Sequence, residues 1–418
     1  MACGRVLSVI KITIEYQRVI FHYKQNPLLL IIFMPISRTL YWQLSAFYFF
    51  YFAVLGGFMP YWSLYLKQLH FDERAIGQLM AIGMLTRIFA PNFWGYLADS
   101  TGKRIELVRL GASMVAVFWA GIFFVGSHFW LMAAVLFAYS FFQNAILAQF
   151  EAVTIAHLQE QRALYGQIRL WGSLGFIATV AGFGYLLDLI SVKWLPILLL
   201  ISAIVAALCS YLIPSPPQQI QSKDKKPFLY LLKQPLLWSF FAAHFLLQLS
   251  HAPYYSFFSL YLEEYHYSRS TIGLLWSLGV LAEVIAFTQT HRLLAKFSEL
   301  QLIIACLLLA ALRWLVIAVA VDVPWLLWTV QTFHAFSFAV FHAVAMQFVF
   351  REFDIGQQGQ GQAVYSALWG LGVAIGSWLT GMVWVAWGTT WVYSIAAAVC
   401  VLTAVMIMKV WQQKPLQF

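Results

Sequence analysis

Charge is what this 418-residue chain has least of: Asp, Glu, Lys and Arg together make 10% of it, against roughly 25% in soluble domains. That scarcity excludes an ordinary water-soluble globule. The four cysteines, Cys3, Cys209, Cys306 and Cys400, lie far apart with no CxxC pair, so neither a disulfide framework nor a thiolate metal site is written here. HExxH, GxSxG and metal-spaced clusters are missing too, and the reading is a protein that is not an enzyme and holds no metal or cofactor. The stretch STGKR around Gly102 has no earlier glycine at the phosphate-loop spacing, so no motif supports ATP-driven work. A formal charge of +9 suggests nucleic acid at first, but the placement of the basic residues points to a membrane instead.

What is present is apolar side chain: 62% of residues, with 18 Trp and 36 Phe. Hydrophobic runs fall at about 41–66, 75–97, 105–126, 129–155, 164–187, 193–213, 236–262, 271–290, 300–320, 324–350, 362–387 and 389–410. The fold class is therefore all-α and polytopic, with about twelve transmembrane helices and the lipid bilayer as the first partner. Between the sixth and seventh runs lies PSPPQQIQSKDKKP (214–227), the one polar, proline-rich linker, which divides the runs six and six. The expected organisation is an extension over 1–37, a six-helix lobe over 38–213, a linker over 214–233, and a second lobe with a short tail over 234–418. Residues 1–33 carry basic residues and a short apolar stretch without a small-residue cleavage site; they read as an extension, or as an over-called start with Met34 opening the working chain.

Basic residues set the orientation. Arg38, Lys103, Arg104, Arg109, Arg162, Lys223, Lys225, Lys226, Lys233, Arg292, Lys296, Arg351, Lys409 and Lys414 would share one side, against Lys67, Arg74, Lys193 and Arg269 on the other. Positive charge stays inside, so both termini and the linker should be cytoplasmic.

An internal repeat carries more. SLYLKQLHFDERAIGQLMAIGMLTRI (63–88) aligns with SLYLEEYHYSRSTIGLLWSLGVLAEV (259–284) at an offset of 196 residues. Ser-Leu-Tyr-Leu recurs intact, followed by His70 with His266, Gly77 with Gly273 and Gly83 with Gly279. The offset spans six helices, so the halves run parallel, an arrangement of secondary transporters whose substrate site lies between the halves near the midplane. In this alignment Glu283, the lone acid of LWSLGVLAEVIAF (275–287), falls opposite Arg87.

The loop WGYLADSTGKRIELVRLG (94–111) places Gly95, Asp99, Gly102, Lys103 and Arg104 in the pattern G-x-x-x-D-x-x-G-[RK]-[RK], and so resembles the gating signature of the major facilitator superfamily. The matching stretch of the second half, HRLLAKFSEL (291–300), has lost that pattern. Residues 41–66 resemble the first helix of the proton-coupled sugar permeases and of the 3-phenylpropionate permeases. YGQIRLWGSLGF (165–176), residues 251–287 and QAVYSA (362–367) are most similar to the latter family. The resemblance runs from about residue 38 to the end, and implies two pseudo-symmetric six-helix lobes and a secondary transporter in a bacterial inner membrane. A small-molecule substrate, a proton and a monomeric carrier go with it.

Ionisable residues inside the predicted spans are Arg87, Glu151, Arg169, Glu283 and Arg313. A lone charge at a helix centre costs about 2.5–3.5 kcal/mol on insertion scales, so five imply pairing around a polar cavity. His244, Gln248, His251 and Tyr255 follow at i, i+4, i+7 and i+11, one helix face, which reads as cavity lining or as interhelical hydrogen bonding. His334 and His342, eight apart, read as sharing a face.

The resemblance implies roles. Glu151 with Arg169 of R-x-W-G-x-x-G matches the sugar permeases' substrate-binding pair, but Phe176 stands where those stack a tryptophan on the sugar. Arg313 and His334 match their proton network, but Ser337 replaces the acid three residues beyond the histidine, leaving Glu283 as the acid for proton coupling. The expected substrate is a small aromatic acid such as 3-phenylpropionate, with Arg169, Arg87 or Arg313 drawing its carboxylate. Phe176, Tyr254, Tyr255 and Trp276 would pack its ring, beside His251. The alternative is proton symport of a neutral sugar or nucleoside. Drug efflux is disfavoured by the absence of proline in GSLGFIATVAGFGYLL (172–187), and a sensor or scaffold by the absence of a soluble domain.

Overall fold

The computed structural model describes residues 36–216, 234–354 and 357–412. Most of the linker and nearly all of the amino-terminal extension lie outside the described residues. Twelve long helices are described: α1 (Arg38–Gln68), α2 (Glu73–Thr101), α3 (Arg104–Ala120), α4 (Phe129–Leu158), α5 (Tyr165–Leu189), α6 (Leu195–Leu212), α7 (Pro235–Glu264), α8 (Arg269–Lys296), α9 (Glu299–Val319), α10 (Pro324–Glu352, interrupted), α11 (Gln358–Trp387) and α12 (Thr389–Gln412). No strand occurs among the described residues.

Ten of the twelve are long and apolar enough to cross a membrane by length and composition; α2 and α7 are not. α7 has a physical reason to fall short. It is buried along most of its length, carrying His244, Gln248, His251 and four serines inside the protein, where lipid never tests its hydropathy.

The repeat found in the sequence is a repeat of local structure. α1 and α7 both end with a histidine in the left-handed region, His70 (φ 67°) and His266 (φ 60°). Phe71 N–H then donates to Leu66 O (3.2 Å) and Tyr267 N–H to Leu262 O (3.0 Å), closing the same C-terminal cap twice. Asp72 caps α2 through Ala75 N–H, and its repeat partner Ser268 caps α8 through Thr271 N–H.

Within the lobes, α1 packs on α5 and α7 on α11 by backbone approach at glycines. A Cβ at Gly56 would stand 2.7 Å from Phe176 O, and one at Gly372 would stand 2.6 Å from Phe245 O. Between the lobes the seam is two-fold symmetric: α2 lies on α11, and α8 on α5. Gly77 meets Ser377 O, and its repeat partner Gly273 meets Val180 O; an added Cβ would sit 2.6 and 2.5 Å away. Gly381 and Gly184 likewise press on the carbonyls of Glu73 and Arg269, themselves a repeat-related pair.

All four of these close approaches sit toward the end remote from the termini. There Tyr61 Oη donates to Val180 O (2.6 Å), and Asp188 accepts from the Arg269 and Ser270 N–H groups at the start of α8 (2.8 and 2.9 Å). Toward the terminus-bearing end the seam parts. Every buried residue of α8 lies between Ile272 and Gly279. The seam is closed at the remote end and looser at the other.

Gly273→Leu should therefore prevent the remote end from closing. The expected result is loss of the transport that the parallel repeat implies, with a cysteine introduced at Tyr255 becoming reactive to a membrane-impermeant maleimide added on that side. Undiminished transport would remove the glycine seam from the conformational cycle.

Candidate functional site

Repeat symmetry puts the middle of α2 and the middle of α8 at the seam, and these positions carry Arg87 and Glu283. The Arg87 guanidinium lies 3.9 Å above the ring of Trp369 on α11, a residue of the opposite lobe. Its electrostatic neighbours are the phenols of Tyr51, Tyr255 and Tyr365, and no carboxylate among the described residues reaches it. A stacked cation keeps its in-plane N–H edges available, because the indole covers only a face; such a stack contributes about 0.5–2 kcal/mol. Tyr255 stands 5.8 Å from Trp369, so three tyrosines and a tryptophan line the surroundings of the one cation.

Glu283 belongs to a chain of side chains in the second lobe. Its Oε1 lies 2.9 Å from His334 Nε2. His334 Nδ1 is 2.9 Å from Arg313 Nη1, and Arg313 Nη2 donates to Gln331 Oε1 (2.8 Å). Arg313 is fully buried, with its guanidinium 4.1 Å above Tyr254. The sequence reading grouped Glu283 with Arg313 and His334; in the structure the imidazole stands between the acid and the guanidinium.

The backbone explains why His334 can sit between them. α10 is broken at Thr332 and Phe333 and continues through a π-helical stretch, Phe336–Val340. Such breaks occur where backbone lines a cavity, and they turn side chains away from regular helical positions. His334 faces Glu283 and Arg313, and His342 lies beside Phe287, one turn further along α8 than Glu283, with its Nδ1 3.3 Å from Tyr365 Oη.

The polar stripe on α7 is buried throughout. His251 Nδ1 pairs with Leu247 O (2.8 Å) and Nε2 with Ser337 Oγ (2.9 Å), so the serine that replaces the expected acid ties α10 to α7. His244 stacks on Tyr365 with ring centroids 3.8 Å apart. In the first lobe Glu151 and Arg169 approach to 3.7 Å, each about one third exposed, and Arg169 lies over Phe52 at 4.2 Å. Phe176 is buried in the first lobe's core. Tyr254 and Trp276 stack on each other at 4.3 Å and pack beside Arg313.

The gating loop forms a tight turn at the terminus-bearing end. Gly102 ends α2 in the left-handed region (φ 70°), Asp99 pairs with Arg104 at 2.5 Å, and Arg104 also donates to Gln149 at 2.6 Å. Gly95 stays uncrowded, and Lys103 precedes α3 without a side-chain cap.

Sequence reasoning missed Trp369, Tyr51 and Gln331. A tryptophan one turn after Tyr365 looks like any other membrane tryptophan until α11 is laid against α2. Gln331 carried a faint signal, since it stands three residues before His334 in an otherwise apolar segment.

The family model described as "MFS_1 like family" matches residues 41–395. The "Probable 3-phenylpropionic acid transporter" of Escherichia coli (strain K12) is 30% identical over 364 residues, which cover 84% of this chain and 93% of that protein. The "Maltose permease" of Geobacillus stearothermophilus is 28% identical over 349 residues, 81% of this chain and 85% of the relative. Among solved structures, that of the nucleoside transporter NupG superposes with a TM-score of 0.73 at 19% identity, covering 90% of this chain and all of the other. A bacterial homologue of the human lysosomal transporter Spinster, in an inward-facing and unoccupied conformation, gives 0.66 at 13% identity, covering 89% and 94%. These structural likenesses speak for the fold.

Proposed function

Since the chain belongs to the MFS_1 like family of multi-pass membrane transporters, we propose that it imports a small aromatic carboxylic acid, of the 3-phenylpropionate type, together with a proton. The setting would be a bacterial inner membrane, with the termini in the cytoplasm and a single chain as the working carrier. The looser end of the seam would then face the cytoplasm, as expected of an inward-open state.

One observation carries this reading: Arg87, midway along α2 at the lobe seam, has an aromatic face and no acid against it. A membrane-embedded cation without a counter-charge is costly, and a substrate carboxylate supplies one through two N–H···O bonds. Arg169 is already engaged by Glu151, and Arg313 by His334 and Gln331, so Arg87 is the arginine that remains to be matched. The substrate ring would rest among Tyr51, Tyr255, Tyr365 and Trp369.

Glu283 supplies the coupling. Protonating it removes a negative charge from the same cavity and leaves Arg313 without the acid that faces it across His334, the bonds between them staying in place. Anion binding strengthens, and by reciprocity bound anion favours the protonated form. The loaded lobes rock about the seam, substrate and proton leave on the cytoplasmic side, and the empty carrier returns. The gating loop from Gly95 to Arg104 would close the cytoplasmic side in the other half of the cycle.

The test is uptake of labelled 3-phenylpropionate into cells expressing the protein, with and without a protonophore, in competition with maltose and nucleosides. Saturable uptake abolished by the protonophore and indifferent to both competitors is expected. Absence of uptake removes the aromatic acid, insensitivity to the protonophore removes the coupling, and inhibition by a neutral competitor favours the sugar or nucleoside alternative, in which the partly exposed Glu151–Arg169 pair would meet hydroxyls.

A further inference from the structure

We infer that His334 is a positioning residue locked as its neutral Nε2–H tautomer, so that Glu283 alone takes up the transported proton, one per cycle. The inference rests on the proton-coupled reading above and assigns the chemistry within it.

The lock follows from donor counting. Arg313 is permanently charged and offers only N–H groups, so a ring nitrogen 2.9 Å from its Nη1 must accept. That leaves Nδ1 without hydrogen. The ring's hydrogen is on Nε2, which faces Glu283 Oε1 at 2.9 Å and donates to it. Putting a second proton on the imidazole would aim an Nδ1–H at an arginine N–H, and Arg313 has nowhere to retreat. It is fully buried, bonded to Gln331, and packed against the rings of Tyr254 and Trp314 at 4.1 and 4.7 Å. Glu283 Oε2, by contrast, can receive a proton without disturbing any of these bonds.

Histidine, phenols and arginines face this carboxylate. α7 presents the phenols of Tyr254 and Tyr255 and His251, whose Nδ1–H donates to Leu247 O and whose Nε2 lies against Ser337 Oγ; the fixed charge of Arg313, one imidazole away, opposes a second proton on that ring. α9 presents Arg313, α12 presents Tyr393 toward it, and the first lobe presents Arg169 across the cavity. Among these groups Glu283 is the carboxylate. With a monoanionic substrate, one proton on one carboxylate makes the cycle electroneutral.

A glutamine side chain reproduces the locked tautomer: its Oε1 accepts and its amide N–H donates, with no site for a transported proton. In proteoliposomes with an acid exterior, His334→Leu should lose ~10-fold or more of pH-driven 3-phenylpropionate accumulation, because buried donors and a carboxylate lose their partners. His334→Gln should restore it, at one proton per anion by an internal pH dye and without a transient current on a solid-supported membrane. Counterflow of labelled against unlabelled 3-phenylpropionate, which needs no gradient, separates the two levels. Counterflow retained in His334→Gln with pH-driven accumulation lost would overturn the inference and make His334 the carrier. So would a ratio above one, or a current. No counterflow by the unaltered protein would overturn the substrate reading and the inference with it. If His334→Gln does not fold, ¹⁵N-histidine spectra of the unaltered protein decide. A neutral Nε2–H ring pairing with Glu283 at every pH at which transport runs is expected, and an imidazolium there overturns the lock.

Discussion

Arg87→Gln is expected to abolish uptake of the aromatic acid while leaving the protein folded and inserted. The guanidinium stacks on the Trp369 face and pairs with no carboxylate among the described residues, so its loss removes a stack worth about 0.5–2 kcal/mol but breaks no ion pair. Substrate binding suffers far more. Removing one member of a desolvated charge pair costs about 2–5 kcal/mol, roughly 30-fold or more in affinity. Arg87→Lys should fall between, keeping the charge but losing the planar fork and the stack. Trp369→Leu should weaken binding by about tenfold at most, since the cation remains. Binding of labelled substrate to the purified protein in detergent reads all three. Undiminished binding in Arg87→Gln, with binding lost in Arg169→Gln, would move the anchor to the Glu151–Arg169 pair.

Glu283→Gln carries the second large effect, and it splits two activities that most substitutions would lose together. The amide imitates the protonated carboxyl in shape and charge, so anion binding should persist and the loaded carrier should still reorient. What disappears is the step in which an empty carrier sheds a proton before returning. Counterflow should therefore continue while accumulation against a gradient, driven by an acid exterior, falls to the level of protein-free vesicles. The pH dependence of binding should vanish with it, because the titrating group is gone. Accumulation that survives in Glu283→Gln would remove this residue from the coupling.

Much of the site was legible because membrane burial makes polar residues conspicuous. An acid or arginine in an apolar run costs enough to demand an explanation, and Arg87, Glu151, Arg169, Glu283 and Arg313 stood out for that reason. The pairing among them was not legible, since each partner lies on a different helix. Glu283 meets Arg313 only through His334, and His334 is turned toward both by a break in α10 that no proline or glycine between residues 325 and 352 announces. Trp369 and Tyr51 were hidden by composition, because aromatic residues are too common in this chain for any one of them to attract notice.

The sequence by itself determined the twelve-helix membrane architecture, the parallel repeat and the seam glycines. Hydrophobic length, charge sparsity and a 196-residue periodicity are properties of residue order that do not wait for packing. Gly77 and Gly273 were visible as matched residues, and it took the assembled lobes to show that each admits a carbonyl from the opposite half. Tertiary structure alone decided which arginine is left without an acid, and which end of the seam is closed. Both depend on distances between residues remote in the chain, where an ångström separates an ion pair from an open charge.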